Sequence, residues 1–280
     1  PLEGMAVLYR TKFSSLPFEQ AFRSTGIPYR MMGGKGFFDR KEIMDVVCYL
    51  SAAVFEKDDV SFERIINIPK RGVGVATVKK INTLKSDGMS LQTAVRKALK
   101  KKILSDKLYK ALSQLMQLID HVRDLPPAEA IENVISKTGY IHYLESYAKG
   151  NQMDVVSRKE NLEQLVFAAS QKDNLYDFLE DSALIRDDQD DEEKDNTHGV
   201  RLSTIHASKG LEYKTVFTIG CEEGLFPHQK SMESVHELEE ERRLMYVAMT
   251  RAEKFLYLTW AESRRGQLSH RSRFINEIEK

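Results

Sequence analysis

Short apolar runs of strand length stand near both ends of this chain of 280 residues, and a long stretch of helical periodicity separates them. Buried parallel strands read as such runs, and neighbouring ones need long, usually helical, crossovers. The two ends therefore read as one α/β sheet into which the middle is inserted. Met5 to Tyr9 is the first run, stopped by Arg10, and Ser14 or Ser15 then takes the N-cap position of a helix over residues 16–24, ended by Gly26. Residues 27–32 read as the next strand. A helix is expected from about residue 40 to 55, with Ile43, Val46, Val47 and Leu50 at helical spacing. The helical pattern continues to about residue 179, through Leu108, Leu112, Leu115 and Ile119, then residues 130–136 and 162–169, with breaks at Pro126-Pro127 and Gly150-Asn151. Strand-like runs return at residues 200–205, 215–220 and 255–260, with a helix-rich stretch near 233–251. The predicted layout is a parallel-sheet α/β domain of residues 1–46 and 196–280, interrupted by a helical domain over residues 47–195.

Charge is unevenly spread, although 42 Lys plus Arg cancel 42 Asp plus Glu. From Arg64 to Lys110 thirteen basic residues face two acids, Asp87 and Asp106, so this segment carries about eleven net positive charges and attracts polyanions. Solvated helix faces explain the same composition. Between Asp177 and Asp195 ten acids face only Arg186 and Lys194, and residues 186–196 read as an acidic linker without apolar periodicity. No apolar run reaches the roughly 18 residues of a membrane helix. Cys48 and Cys221 form no CxxC or His-rich cluster, which argues against a disulfide framework or structural zinc and predicts a cytoplasmic protein without a metal site of its own. Because Pro1-Leu2-Glu3-Gly4 lacks an initiator Met, a piece of a longer chain is expected.

Three segments carry candidate chemistry. In Arg201-Leu202-Ser203-Thr204-Ile205-His206-Ala207-Ser208-Lys209-Gly210-Leu211-Glu212-Tyr213, a strand is followed by polar and small residues, as at the ligand-binding carboxyl ends of open α/β sheets. Singly, His206 reads as a satisfied histidine and Lys209-Gly210 as a turn. In the second segment, Glu239 to Ala252, Leu244, Val247 and Ala248 line one helix face while Arg243 and Arg251, two turns apart, point to nearly one side. Arginine forks suit phosphate oxygens, although Glu239 to Glu241 are also placed to pair with their own arginines. The third segment, Ile68-Pro69-Lys70-Arg71-Gly72-Val73-Gly74-Val75-Ala76-Thr77, spaces its glycines for close backbone approach ahead of a helix whose first N–H groups suit a phosphate. A tight turn is the alternative.

Together with Val7-Leu8-Tyr9-Arg10-Thr11, Gly26-Ile27-Pro28-Tyr29 and Gly33-Gly34 with Phe37-Phe38-Asp39-Arg40, these stretches resemble the C-terminal half of superfamily 1 DNA helicases of the UvrD/Rep/PcrA type. The likeness covers nearly the whole chain. Residues 204–212, continuing through Glu222-Glu223-Gly224-Leu225-Phe226-Pro227-His228, look like motif V, and residues 240–252 look like motif VI. The resemblance implies a RecA-like motor domain (2A) interrupted by an all-helical domain (2B). It also implies ATP- and Mg2+-dependent 3′ to 5′ translocation on single-stranded DNA, with duplex unwinding, in replication or repair. On this resemblance Arg251 is the arginine finger that reaches the γ-phosphate, and Glu212 accepts hydrogen bonds from the ribose. Arg10, Thr11, Thr204 and His206 face single-stranded DNA, whereas Lys70, Arg71, Gly72, Gly74 and Thr77 bind duplex backbone.

No G-x-x-x-x-G-K-[ST] sequence occurs, and Gly33-Gly34-Lys35-Gly36 has neither the spacing nor the Ser or Thr to hold phosphate and magnesium. The expectation is half of an active site, inactive alone, completed by N-terminal motor domains that bring most ligands for ATP and Mg2+. Lys12, Lys35 and Gln267 depart from the family pattern, and Gln267 stands where an aromatic side chain could stack on a base. Two other readings use the same residues: a binding protein for duplex DNA that has lost its motor, and the helicase subunit of a helicase-nuclease. The chain's stop soon after Ser272-Arg273-Phe274 argues against the nuclease reading. Repair or replication proteins are further possible partners.

Overall fold

The computed structural model describes residues 1–33, 36–182, 198–264 and 266–278. Its packing separates two compact units, Pro1–Phe38 with Ile185–Lys280, and Asp39–Leu184. The expected boundary at 46 would have cut a helix, because residues 41–54 form one element of the helical unit. The expected acidic linker at 186–196 lies outside the described residues.

The first unit is an α/β fold, as the sequence pattern predicts. Strands β1 (Met5–Tyr9), β2 (Tyr29–Met32), β3 (Val200–Thr204), β4 (Tyr213–Ile219) and β5 (Ala252–Leu258) form one parallel sheet in the order β2-β3-β1-β4-β5. Side chains alternate between its faces. Ala6 and Leu8 pack with Ile205, Val216, Met245, Ala248 and Phe274 on one side, while Val7 and Tyr9 pack with Tyr29, Leu202, Phe18 and Phe22 on the other. Helix α1 (Leu16–Ser24) follows a 3-10 turn. Ser15 does not cap it through its side chain: the hydroxyl donates back to the Lys12 carbonyl at 2.9 Å, closing that turn. Strand β5 departs from the expected buried run, since Phe255 and Tyr257 are half exposed at the sheet's edge.

Among the described residues the regular elements of the second unit are helices: α2 (Lys41–Val54), α3 (Asp59–Ile65), α4 (Val75–Asn82), α5 (Leu91–Lys100), α6 (Asp106–Val122), α7 (Pro127–Thr138), α8 (Tyr140–Tyr147), α9 (Gln152–Ala169) and α10, described over 175–182. The sequence breaks become helix ends. Pro127 opens α7, where its missing N–H costs nothing, and the Asn151 side chain accepts the Asp154 N–H at 3.1 Å to cap α9. Helix α2 is the hub, with Ile43, Val46, Leu50 and Ala53 fully buried. It also buries Asp45, whose carboxylate takes Lys41 at 2.5 Å, Arg64 at 2.7 Å and the Tyr140 hydroxyl at 2.7 Å. A buried charge is tolerable only when paired in this way. Burial and the Asp45 charge push the Tyr140 hydroxyl far above its usual pKa. Among the described residues no helix is long and apolar enough to cross a membrane.

Candidate functional site

Because the strands are parallel, residues that follow them gather at one end of the sheet and residues that precede them gather at the other. The expected site residues of the α/β unit divide along this line. Arg10 and Thr11 follow β1, and Thr204 and His206 end and follow β3, so all four lie at the carboxyl edge. Glu212 and Arg251 directly precede β4 and β5 at the amino edge, about 23 Å away along a seven-residue strand.

At the carboxyl edge Arg10 is held by Glu241 of α11 (Val235–Met249). Its Nε donates to both carboxylate oxygens at 2.9 and 3.0 Å, and Nη2 donates to Oε1 at 2.6 Å. Glu241 Oε2 also accepts the His228 backbone N–H at 3.1 Å. Two of the three consecutive glutamates do pair with neighbouring arginines, Glu239 with Arg242 and Glu240 with Arg243. Glu241 instead points inward. Its spacing to the buried Met245 and Ala248, four and seven residues on, is the signal that singles it out: a carboxylate on an apolar helix face needs a cation.

His206 is exposed on the loop after β3, and partial desolvation together with the Arg10 charge lowers its pKa below the usual 6.5, against a smaller opposing pull from Glu241. The imidazole is therefore predominantly neutral at pH 7. Gly33 at the end of β2 (φ +73) faces this loop so closely that a Cβ would sit 2.7 Å from that of Ala207. The two threonines make hydrogen bonds within their own turns. Thr11 is 8% exposed with its hydroxyl 2.8 Å from that of Ser14, and Thr204 Oγ1 accepts the Ala207 N–H at 3.2 Å. Both close turns that present Arg10 and His206.

At the amino edge Arg251 lies beyond the last residue of α11, so it does not share a helix face with Arg243. The guanidinium folds back: Nε donates to the Val247 carbonyl at 3.1 Å, Nη1 to the Leu211 carbonyl at 2.9 Å, and Nη2 to Thr250 Oγ1 at 3.1 Å. Glu212, adjacent to that Leu211 carbonyl, is exposed and has no hydrogen-bond or ion-pair partner among the described residues. No described group of three or more His, Cys, Asp or Glu side chains is arranged to hold a metal.

In the helical unit, a cleft of about 780 Å³ is lined by Pro69 to Gly72 together with residues of α6 and α7. Lys70, Arg71, Lys107, His121 and Lys137 line it, and no acid does. Periodicity within the loop could not reveal His121 or Lys137, which the tertiary packing brings to it. Arg71 is turned onto its own loop. Its Nη1 donates to the carbonyls of Ile65, Ile68 and Pro69 at 2.8, 3.0 and 3.3 Å, and Nη2 donates to the Tyr49 hydroxyl. Asn67 Oδ1 accepts the Arg71 and Val73 N–H groups, and the two side chains together fix the loop. Lys70 is exposed, Gly72 requires its left-handed φ of +78, and Gly74 precedes α4 with open space where a Cβ would be. Thr77 sits in the first turn of α4, its N–H bonded to the Gly74 carbonyl at 3.0 Å.

Comparison with known proteins gives a consistent result. The family described as UvrD-like helicase C-terminal domain matches residues 1–263. A protein of Staphylococcus aureus named ATP-dependent DNA helicase PcrA is 39% identical over 295 residues, covering 99% of this chain and 40% of that protein. One of the same name from Staphylococcus epidermidis is 38% identical over 293 residues, covering 98% and 39%. The chain thus spans about 40% of the length of these curated relatives.

Proposed function

The chain belongs to the UvrD-like helicase C-terminal domain family, and from that premise we propose that it is the 2A and 2B part of an ATP-driven 3′ to 5′ DNA helicase serving replication or repair. The observation that carries the reading is the division of the sheet's two ends. Glu212 and Arg251 lie together at the amino edge, and Arg10 and His206 lie together at the carboxyl edge. A motor that couples nucleotide to DNA needs two such sites on one rigid body. At the amino edge Arg251 exchanges the Val247 and Leu211 carbonyls and the Thr250 hydroxyl for phosphate oxygens, with which its charge-assisted hydrogen bonds are stronger. Glu212, next in sequence to one of the released carbonyls, takes the ribose. The remaining ligands for ATP and its Mg2+ come from N-terminal motor domains outside this chain, so this chain alone does not turn over ATP. DNA passes the carboxyl edge as a single strand, and the basic cleft around Lys70, Gly72 and Gly74 takes duplex backbone.

Replacing Arg251 by Ala in the full-length protein tests the reading. DNA-stimulated ATPase activity should fall by about 10³ to 10⁵, the range typical of an arginine finger. Activity within about threefold of the unmodified enzyme contradicts it.

A further inference from the structure

Trp260 is the sole tryptophan of the chain, and it lies just past the end of β5 with 45% of its surface exposed. Its neighbours pin the backbone there. The Thr259 N–H donates to the Thr218 carbonyl at 2.9 Å, the Thr259 carbonyl accepts the Cys221 N–H at 2.9 Å, and the Ala261 N–H donates to Glu222 Oε1 at 2.8 Å. Glu222 is 1% exposed and also takes Arg264 Nε and Nη2, each at 2.8 Å, and the Ser269 hydroxyl at 3.0 Å. Burial pulls its pKa upward, but these hydrogen bonds and the Arg264 charge hold the carboxyl below its usual range. One ionised carboxylate thus ties the segment carrying Trp260 to the carboxyl end of β4. The Arg271 guanidinium lies over the indole, 5.5 Å from its centroid.

We propose that Trp260, backed by Arg271, is a platform on which a base of single-stranded DNA stacks. The argument rests on position and charge. Phe255 and Tyr257 point from within β5, and Tyr257 is already stacked on Phe217 at 4.8 Å. Trp260 instead stands at the carboxyl edge, where Arg10 and His206 also lie. In the order β3-β1-β4-β5, strands β3 and β5 are three spacings apart, roughly 14 Å. A strand passing Arg10 and His206 therefore comes within reach of the indole. Half-exposed on a fixed backbone, the ring loses little conformational freedom on stacking, and a cation beside it attracts the phosphate next to the stacked base. The inference rests on the proposed DNA-binding function, and its test separates the two.

The 280-residue chain is titrated with a dye-labelled oligothymidylate while the anisotropy of the dye and the emission of Trp260 are followed together. The expected result is a change in tryptophan emission that tracks the anisotropy. Trp260→Ala should weaken binding about 5- to 150-fold, the range of a lost base stack, and Trp260→Phe should recover most of it. If the oligonucleotide binds but emission is unchanged and Trp260→Ala binds like the unmodified chain, the platform is overturned while DNA binding stands. If no oligonucleotide binds, both fall.

Discussion

Replacing Glu241 by Ala removes the carboxylate that orders the carboxyl edge of the sheet. In the folded chain it takes three short contacts from Arg10 and one from the His228 N–H, with side-chain exposures of 5% for Glu241 and 19% for Arg10. Alanine leaves a largely buried guanidinium and a backbone donor without their acceptor. Breaking a fully buried pair costs about 3–5 kcal/mol. Because Arg10 keeps some contact with water, the lower end applies, and about 3 kcal/mol is expected. Glu241→Gln keeps the shape and one acceptor oxygen, so it should cost about half as much. Unfolding in urea followed by Trp260 emission reports on the α/β unit, since that unit carries the only tryptophan. With a urea slope of roughly 3 kcal/mol per molar, the midpoint should fall by about 1 M for Glu241→Ala. A fall of less than about 0.2 M, or glutamine as damaging as alanine, would refute the claim that an ion pair rather than packing holds Arg10.

Arg71→Ala should lower the thermal midpoint of the helical unit by about 4–8 °C, because it strips the donor from three carbonyls and from Tyr49. Lys70→Ala should leave it unchanged, and calorimetry distinguishes the two. For His206 the folded pKa lies below the unfolded value near 6.5, so the unfolded state binds the proton first as pH falls. Its contribution to stability is therefore complete at neutral pH and is lost between that value and the folded pKa. His206→Gln should flatten the pH dependence of the urea midpoint over that window. Both cysteines are buried, and burial pushes the Cys221 thiol up to about 12. Neither should react with a disulfide reagent until urea unfolds the chain.

The α/β class was legible because buried strands and amphipathic helices have different periods, and the family was legible because its motifs are runs of adjacent residues. Direction was harder to read. Arg10, Arg71 and Arg251 are equivalent letters in a motif, yet the first is clamped by a carboxylate 231 residues away, the second is spent on its own loop, and the third is folded onto the turn before β4. Where a guanidinium points depends on which acceptors the tertiary fold brings to it. The hydroxyls of Thr11 and Thr204 show the same dependence on the fold, since each finds a partner three residues on. The domain boundary expected at residue 46 falls inside α2, because composition does not reveal which unit the apolar face of that helix packs within.

The neighbouring strands β2 and β3 run parallel, with Tyr29 opposite Val200. Residues 33–199 therefore have to carry the chain from the far end of one strand back to the near end of the next. A two-residue turn cannot make that return, whereas a crossover of a dozen or more residues can. Topologically the helical unit is an insertion within that crossover: with Asp39–Leu184 excised, residues 33–38 and 185–199 still leave 21 residues for the return, so the sheet should survive the excision.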